Sequence, residues 1–168
     1  MQQQQYARAC PKFAESQRLG PASGTLLNLG KLYLAMGRPA EAMPVLRRAL
    51  RRSDPAEPIT RAFCRLMLHC QRLLGQANEA LTLCSTYRAR YPLDAGLRAQ
   101  EGELREEAGD LVGAEACYLQ LMRGMEPDAL TGISAPLLGF WARQQLARLY
   151  AKQGRSAEAD ALWPAVGS

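Results

Sequence analysis

The chain has 168 residues, 48% hydrophobic and 22% charged, the length and balance of one folded domain and not of a disordered tail. Aromatic residues at 7% and few β-branched residues argue against an all-β fold. No run of 18 apolar residues is present to cross a bilayer, and the opening MQQQQYARAC lacks the basic-then-apolar layout of a signal peptide.

Helical signals follow one another along the chain. Residues 5–19, QYARACPKFAESQRL, read as a single helix closed by Pro21, so residues 1–22 form a leading half-unit. Four helix pairs are then expected. The first helices are TLLNLGKLYLAM (25–36), RAFCRLMLHCQRLL (61–74), AGLRAQEGELREEA (95–108) and WARQQLARLYAKQ (141–153). Their partners are AEAMPVLRRALRR (40–52), NEALTLCSTYRARY (78–91), VGAEACYLQLMRG (112–124) and AEADALW (157–163). The Gly/Pro-rich stretch 124–140 predicts a loop or a short extra turn. Pro164 stops the last helix, and 165–168 form a tail.

One signature separates the helices of each pair: Gly, four residues, Ala. It runs from Gly37 to Ala42, Gly75 to Ala80, Gly109 to Ala114 and Gly154 to Ala159. The glycine ends the first helix in a left-handed conformation, and the alanine lets the two helices approach closely. The intervals between these glycines are 38, 34 and 45 residues. On these residues the chain resembles tetratricopeptide repeat (TPR) proteins, whose period is 34. Leu29, Gly30, Tyr33, Leu46 and Ala49 fit the pattern in unit one; Cys84 and Pro92 in unit two; Gly102 and Tyr118 in unit three; Ala147, Tyr150 and Trp163 in unit four. In unit two Leu68 replaces the usual small residue. The resemblance implies an all-α solenoid of antiparallel helix pairs, a right-handed superhelix, with units at 23–56, 61–94, 95–128 and 140–164. The two ragged ends are expected of a segment of a longer protein, or of one that docks end-on or forms an end-on homodimer.

First helices of such a solenoid line its concave face. The partner-binding residues expected there are Lys31 in unit one, Arg65, His69 and Arg72 in unit two, Glu103, Glu106 and Glu107 in unit three, and Trp141, Gln144, Arg148 and Lys152 in unit four. That groove runs basic, acidic, then basic with an aromatic anchor, a pattern that grips a protein or peptide partner. Chaperone-binding TPRs hold a C-terminal carboxylate with Lys–Asn, Asn and Lys–Arg sets; the corresponding Leu27, Lys31, Leu66, Gly96 and Gln100 disfavour such a clamp.

No catalytic residue, cofactor or metal is expected. The lone histidine, His69, adjoins Cys70, and neighbours on a helix point to different faces. Cys64 and Cys70 point about 120° apart at helical spacing, so they do not converge with His69 on zinc. The acidic cluster Glu101, Glu103, Glu106 and Glu107 reads as a solvated stripe. Five cysteines (Cys10, Cys64, Cys70, Cys84, Cys117) match no disulfide scaffold, so they read as buried small hydrophobes in a reducing, cytoplasmic compartment.

The expected function is therefore a non-catalytic interaction or scaffold module. The stretch 139–163 also resembles TPR tails of bacterial family 2 glycosyltransferases, which implies at most an accessory domain, since no DxD motif is present. A third reading uses the formal charge of +5 and the run Arg47, Arg48, Arg51 and Arg52 to bind RNA or another polyanion. No aromatic residue interleaves with that run, so nucleic acid is disfavoured.

Overall fold

The computed structural model describes residues 22–124 and 135–162, and every regular element among them is a helix. Helix α1 covers Ser23–Ala35, α2 Pro39–Arg52, α3 Pro58–Leu73 and α4 Ala77–Arg90. Then come α5 Ala95–Glu107, α6 Leu111–Met122, α7 Ala135–Lys152 and α8 Ser156–Leu162. The leading half-unit, Trp163, Pro164 and the tail at 165–168 lie outside the described residues, Ala22 apart.

The hinge glycines carry the architecture. Gly37, Gly75, Gly109 and Gly154 have φ of 69°, 73°, 83° and 74°, the left-handed region that other residues enter at a cost. Each closes its helix in the same two-bond motif. In the first, Arg38 N–H reaches back to the Tyr33 carbonyl at 2.8 Å and Gly37 N–H to that of Leu34 at 3.0 Å. Asp110 to Arg105 at 2.8 Å and Arg155 to Tyr150 at 2.9 Å repeat the longer bond. Pro39 stands at the start of α2, where a missing N–H costs nothing. The side chains of Asp94 and Asp110 accept from the N–H groups of Leu97 and Gly113, capping α5 and α6.

The chain divides into two compact units between Leu66 and Met67, inside α3. In the first, α1 packs on α2, and Leu26, Ala42, Met43, Leu46, Ala49 and Phe63 are buried. Gly30 admits the contact: a Cβ there would meet Leu46 Cδ2 at 2.9 Å. Arg47, Arg48, Arg51 and Arg52 are all exposed, the solvated face that the sequence predicts.

In the second unit, α4 packs on α5, α5 on α6, α6 on α7 and α7 on α8. Its core joins Ala95, Ala114, Tyr118, Leu121, Ala142, Leu146, Leu149 and Tyr150. Cys70, Cys84 and Cys117 are buried thiols, as Cys64 is in the first unit. Of the stretch 124–140, expected as a loop or a short extra turn, residues 125–134 lie outside the described residues, and its last part needs correction, because α7 begins at Ala135 and already contains Phe140. Pro136 is its second residue, a position that tolerates proline, so the residue that suggested a break belongs to a helix start.

Candidate functional site

Counted back from the hinge glycines, the polar positions of the second unit's first helices fall into register. Arg72 and Glu106 lie three residues before Gly75 and Gly109; Glu103 and Arg148 lie six before Gly109 and Gly154; Glu107 and Lys152 lie two before the same glycines. The residue three before one hinge glycine meets those six and two before the next: Arg72 meets Glu103 and Glu107, and Glu106 meets Arg148 and Lys152. These six side chains line one cavity of about 200 Å³.

The charges inside it are paired. Arg72 donates from Nη1 to Glu103 at 2.8 Å and from Nε to Glu107 at 2.6 Å. Glu106 accepts from Arg148 at 3.0 Å, from Lys152 at 3.0 Å and from the Tyr118 hydroxyl at 3.1 Å. Three carboxylates thus meet three cations. Glu106 is the deepest, its side chain 10% exposed, while those of Arg148 and Lys152 are 48% and 57% exposed. Burial pushes the Glu106 carboxyl up, but Lys152 and Arg148 outweigh it and hold it below its ordinary value. Glu103 goes the other way: burial outweighs Arg72 and raises its pKa. Burial also raises the Tyr118 phenol, with Glu106 adding to it, so its hydroxyl stays protonated and donates.

The cavity gathers Arg72, Glu103, Glu106, Glu107, Arg148 and Lys152 from the residues that the sequence singles out. Lys31 and Arg65 belong to the first unit, and Lys31 is exposed. His69 is half-buried and outside the cavity lining; burial, then the nearby Arg72, lowers its pKa, so it is neutral at pH 7. Gln144 is exposed and outside the lining. The ring of Trp141, expected as an aromatic anchor, stands edge-on to Tyr118 with centroids 5.8 Å apart and packs against the hydrophobic core.

Glu101 is what the sequence reasoning missed. Its side chain is only 5% exposed and takes Arg88 at 2.6 Å, Arg98 at 3.2 Å and Arg105 at 2.8 Å. Helical spacing carried the signal: Glu101 lies about 160° around α5 from Glu103, and Arg98 and Arg105 stand at i−3 and i+4 from it. It is therefore no part of the solvated stripe.

Burial pushes the Cys70 thiol up to about 11, with its own backbone amide pulling weakly the other way, so it is no nucleophile at neutral pH. No group of three metal-ligating side chains occurs among the described residues, and no helix among them is long and apolar enough to cross a membrane.

The tetratricopeptide repeat family pattern matches residues 23–66. A tetratricopeptide repeat protein from Parabacteroides merdae ATCC 43184 has a similar structure, with a TM-score of 0.64 and 19% identity over 85% of this chain and 51% of that one. This chain thus spans about half the length of that protein. MamA is similar at a TM-score of 0.64 and 17% identity, over 96% of this chain and 80% of its own. No curated protein matches the sequence. The chain has the fold of tetratricopeptide repeat proteins, and residues 23–66 carry the repeat in their sequence.

Proposed function

We propose that the chain is a non-catalytic interaction module whose second unit holds a peptide segment of mixed charge across the cavity between α3, α5 and α7. The fold itself suggests a protein–protein interaction or scaffold module. The observation that carries the finer reading is that Arg148 and Lys152, about half exposed, meet the acidic residues of α5 in one cavity. Partly exposed ion pairs are worth only about 0–1 kcal/mol each. Arg148 and Lys152 keep donors to spare beyond Glu106, so a ligand carboxylate adds to them from the solvent side without stranding that carboxylate, while a ligand cation takes Glu107. Charged contacts then set register and orientation, and the surrounding fold supplies rigidity.

An array of acidic, basic and mixed-charge decapeptides probed with the full chain tests this. Mixed-charge peptides are expected to be retained, and Arg148→Ala with Lys152→Ala to weaken them about tenfold or more. Retention that survives the double substitution overturns the reading.

A further inference from the structure

A second cleft, of about 440 Å³, opens between the last turn of α6 and the first half of α7 and shares no lining residue with the charged cavity. Leu121, Met122 and Phe140 line it with hydrocarbon, and Arg123 and Arg143 bring cations. Phe140 is 50% exposed, and Leu137, one turn earlier on the same face of α7, is 60% exposed. Exposed apolar clusters of this kind mark contact surfaces. A neighbouring hollow of about 280 Å³ shares Arg123 and Gly124 with the cleft and adds the exposed Leu93.

Charge distinguishes this cleft from the rest of the second unit. Arg72, Arg88, Arg98, Arg105, Arg148 and Arg155 each hold a carboxylate. Among the described residues Arg123 and Arg143 hold none; Arg90 is the other exception and lies outside the cleft. Gly139 adds a second feature. It lies inside α7, where glycine weakens a helix, yet a Cβ there would meet nothing nearer than the Leu121 carbonyl oxygen at 3.9 Å. The fold's own packing does not require that residue to be small.

We propose that this cleft binds a peptide segment carrying a bulky apolar side chain beside a carboxylate. The apolar group seats against Leu121, Met122 and Phe140, and the carboxylate pairs with the guanidinium of Arg123 or Arg143. Guanidinium groups offer carboxylates parallel hydrogen bonds, and a volume of this order suits a compact side chain cluster.

A phage-displayed random heptapeptide library selected on the full chain tests the assignment. It is expected to enrich sequences with an acidic residue next to leucine, phenylalanine, methionine or tryptophan. The enriched peptide, fluorescently labelled, is expected to lose about tenfold or more in affinity on Gly139→Leu, which fills the cleft with a good helix former. Arg123→Ala with Arg143→Ala is expected to do the same, and Arg148→Ala with Lys152→Ala to leave binding unchanged. Enrichment of basic or uncharged sequences, no enrichment, or binding indifferent to Gly139→Leu overturns the proposal. So does a peptide that binds only after Glu126→Gln and Asp128→Asn, since the chain's own carboxylates are then the occupants. Self-association that Gly139→Leu abolishes also overturns it, because the occupant is then a second copy.

Discussion

Gly102 of α5 lies so close to the ring of Tyr118 on α6 that a Cβ on it would stand 2.6 Å from Tyr118 Cε1. The ring is fully buried and fixed on two sides, by Trp141 edge-on and by the hydrogen bond to Glu106. It cannot swing away. Gly102→Ala therefore pits a helix-propensity gain of about 1 kcal/mol against overpacking of about 1–3 kcal/mol. Net destabilisation is expected, read as a lower urea midpoint. Gly30→Ala meets the end of an aliphatic side chain, Leu46 Cδ2 at 2.9 Å with Cγ at 3.4 Å, in place of a rigid ring, and is expected to cost less. A Gly102→Ala midpoint at or above the parent's would show that the two helices are not packed at this distance.

The hinge alanines make a graded series. Ala80 and Ala114 are fully buried, whereas Ala159, on the short α8, is half-buried. Ala80→Leu or Ala114→Leu is expected to destabilise by about 1–3 kcal/mol and Ala159→Leu by well under that. Equal effects at all three would contradict the close approach at the inner pairs.

Glu101 holds Arg88, Arg98 and Arg105 together in the second unit. Its removal takes that carboxylate from Arg88 and Arg98 while Arg105 keeps Asp110, and breaking a buried pair costs about 3–5 kcal/mol. Glu101→Ala is expected to lower the thermal midpoint sharply. Glu107→Ala, whose side chain is 41% exposed against 5% for Glu101, is expected to stay within about 0.5 kcal/mol of the parent. Similar midpoints for the two variants would return Glu101 to the solvated stripe.

The contrast between these residues explains how far the sequence could be read. Gly37, Gly75, Gly109 and Gly154 were legible because a left-handed helix end is a local event, written in one residue and its spacing. The charged cavity was legible because register along equivalent helices places Arg72, Glu106 and Arg148 before their hinges. Trp141 was not, since whether an aromatic ring at a helix start turns to the groove or to the core depends on a distant neighbour, Tyr118. Nor was the start of α7, because proline marks a helix beginning as readily as a break. Replacing Trp141 is for the same reason a poor test of binding, because its ring packs against the hydrophobic core.

Acid sensitivity is expected in two limbs. His69, the chain's one histidine, has its pKa held below the ordinary 6.5 by burial and then by Arg72. As pH falls below about 6.5, the unfolded chain takes up a proton that the folded chain resists, so stability declines. Four carboxylates act lower down. Glu115 and Glu158 are held below their ordinary values by Arg155, Asp110 by the Gly113 N–H and Arg105, and Glu106 by Lys152 and Arg148 against its burial. Their stabilisation is present above about pH 4.3 and is lost as pH falls through their folded values. Glu103, raised by burial, opposes them: its share is present at low pH and lost as pH rises through its folded value. With four against one, the lower limb also falls as acid is added. His69→Gln is expected to flatten thermal midpoints between about pH 6.5 and 5 and to leave the lower limb in place. An upper limb that persists in this variant would have to come from some group other than the imidazole.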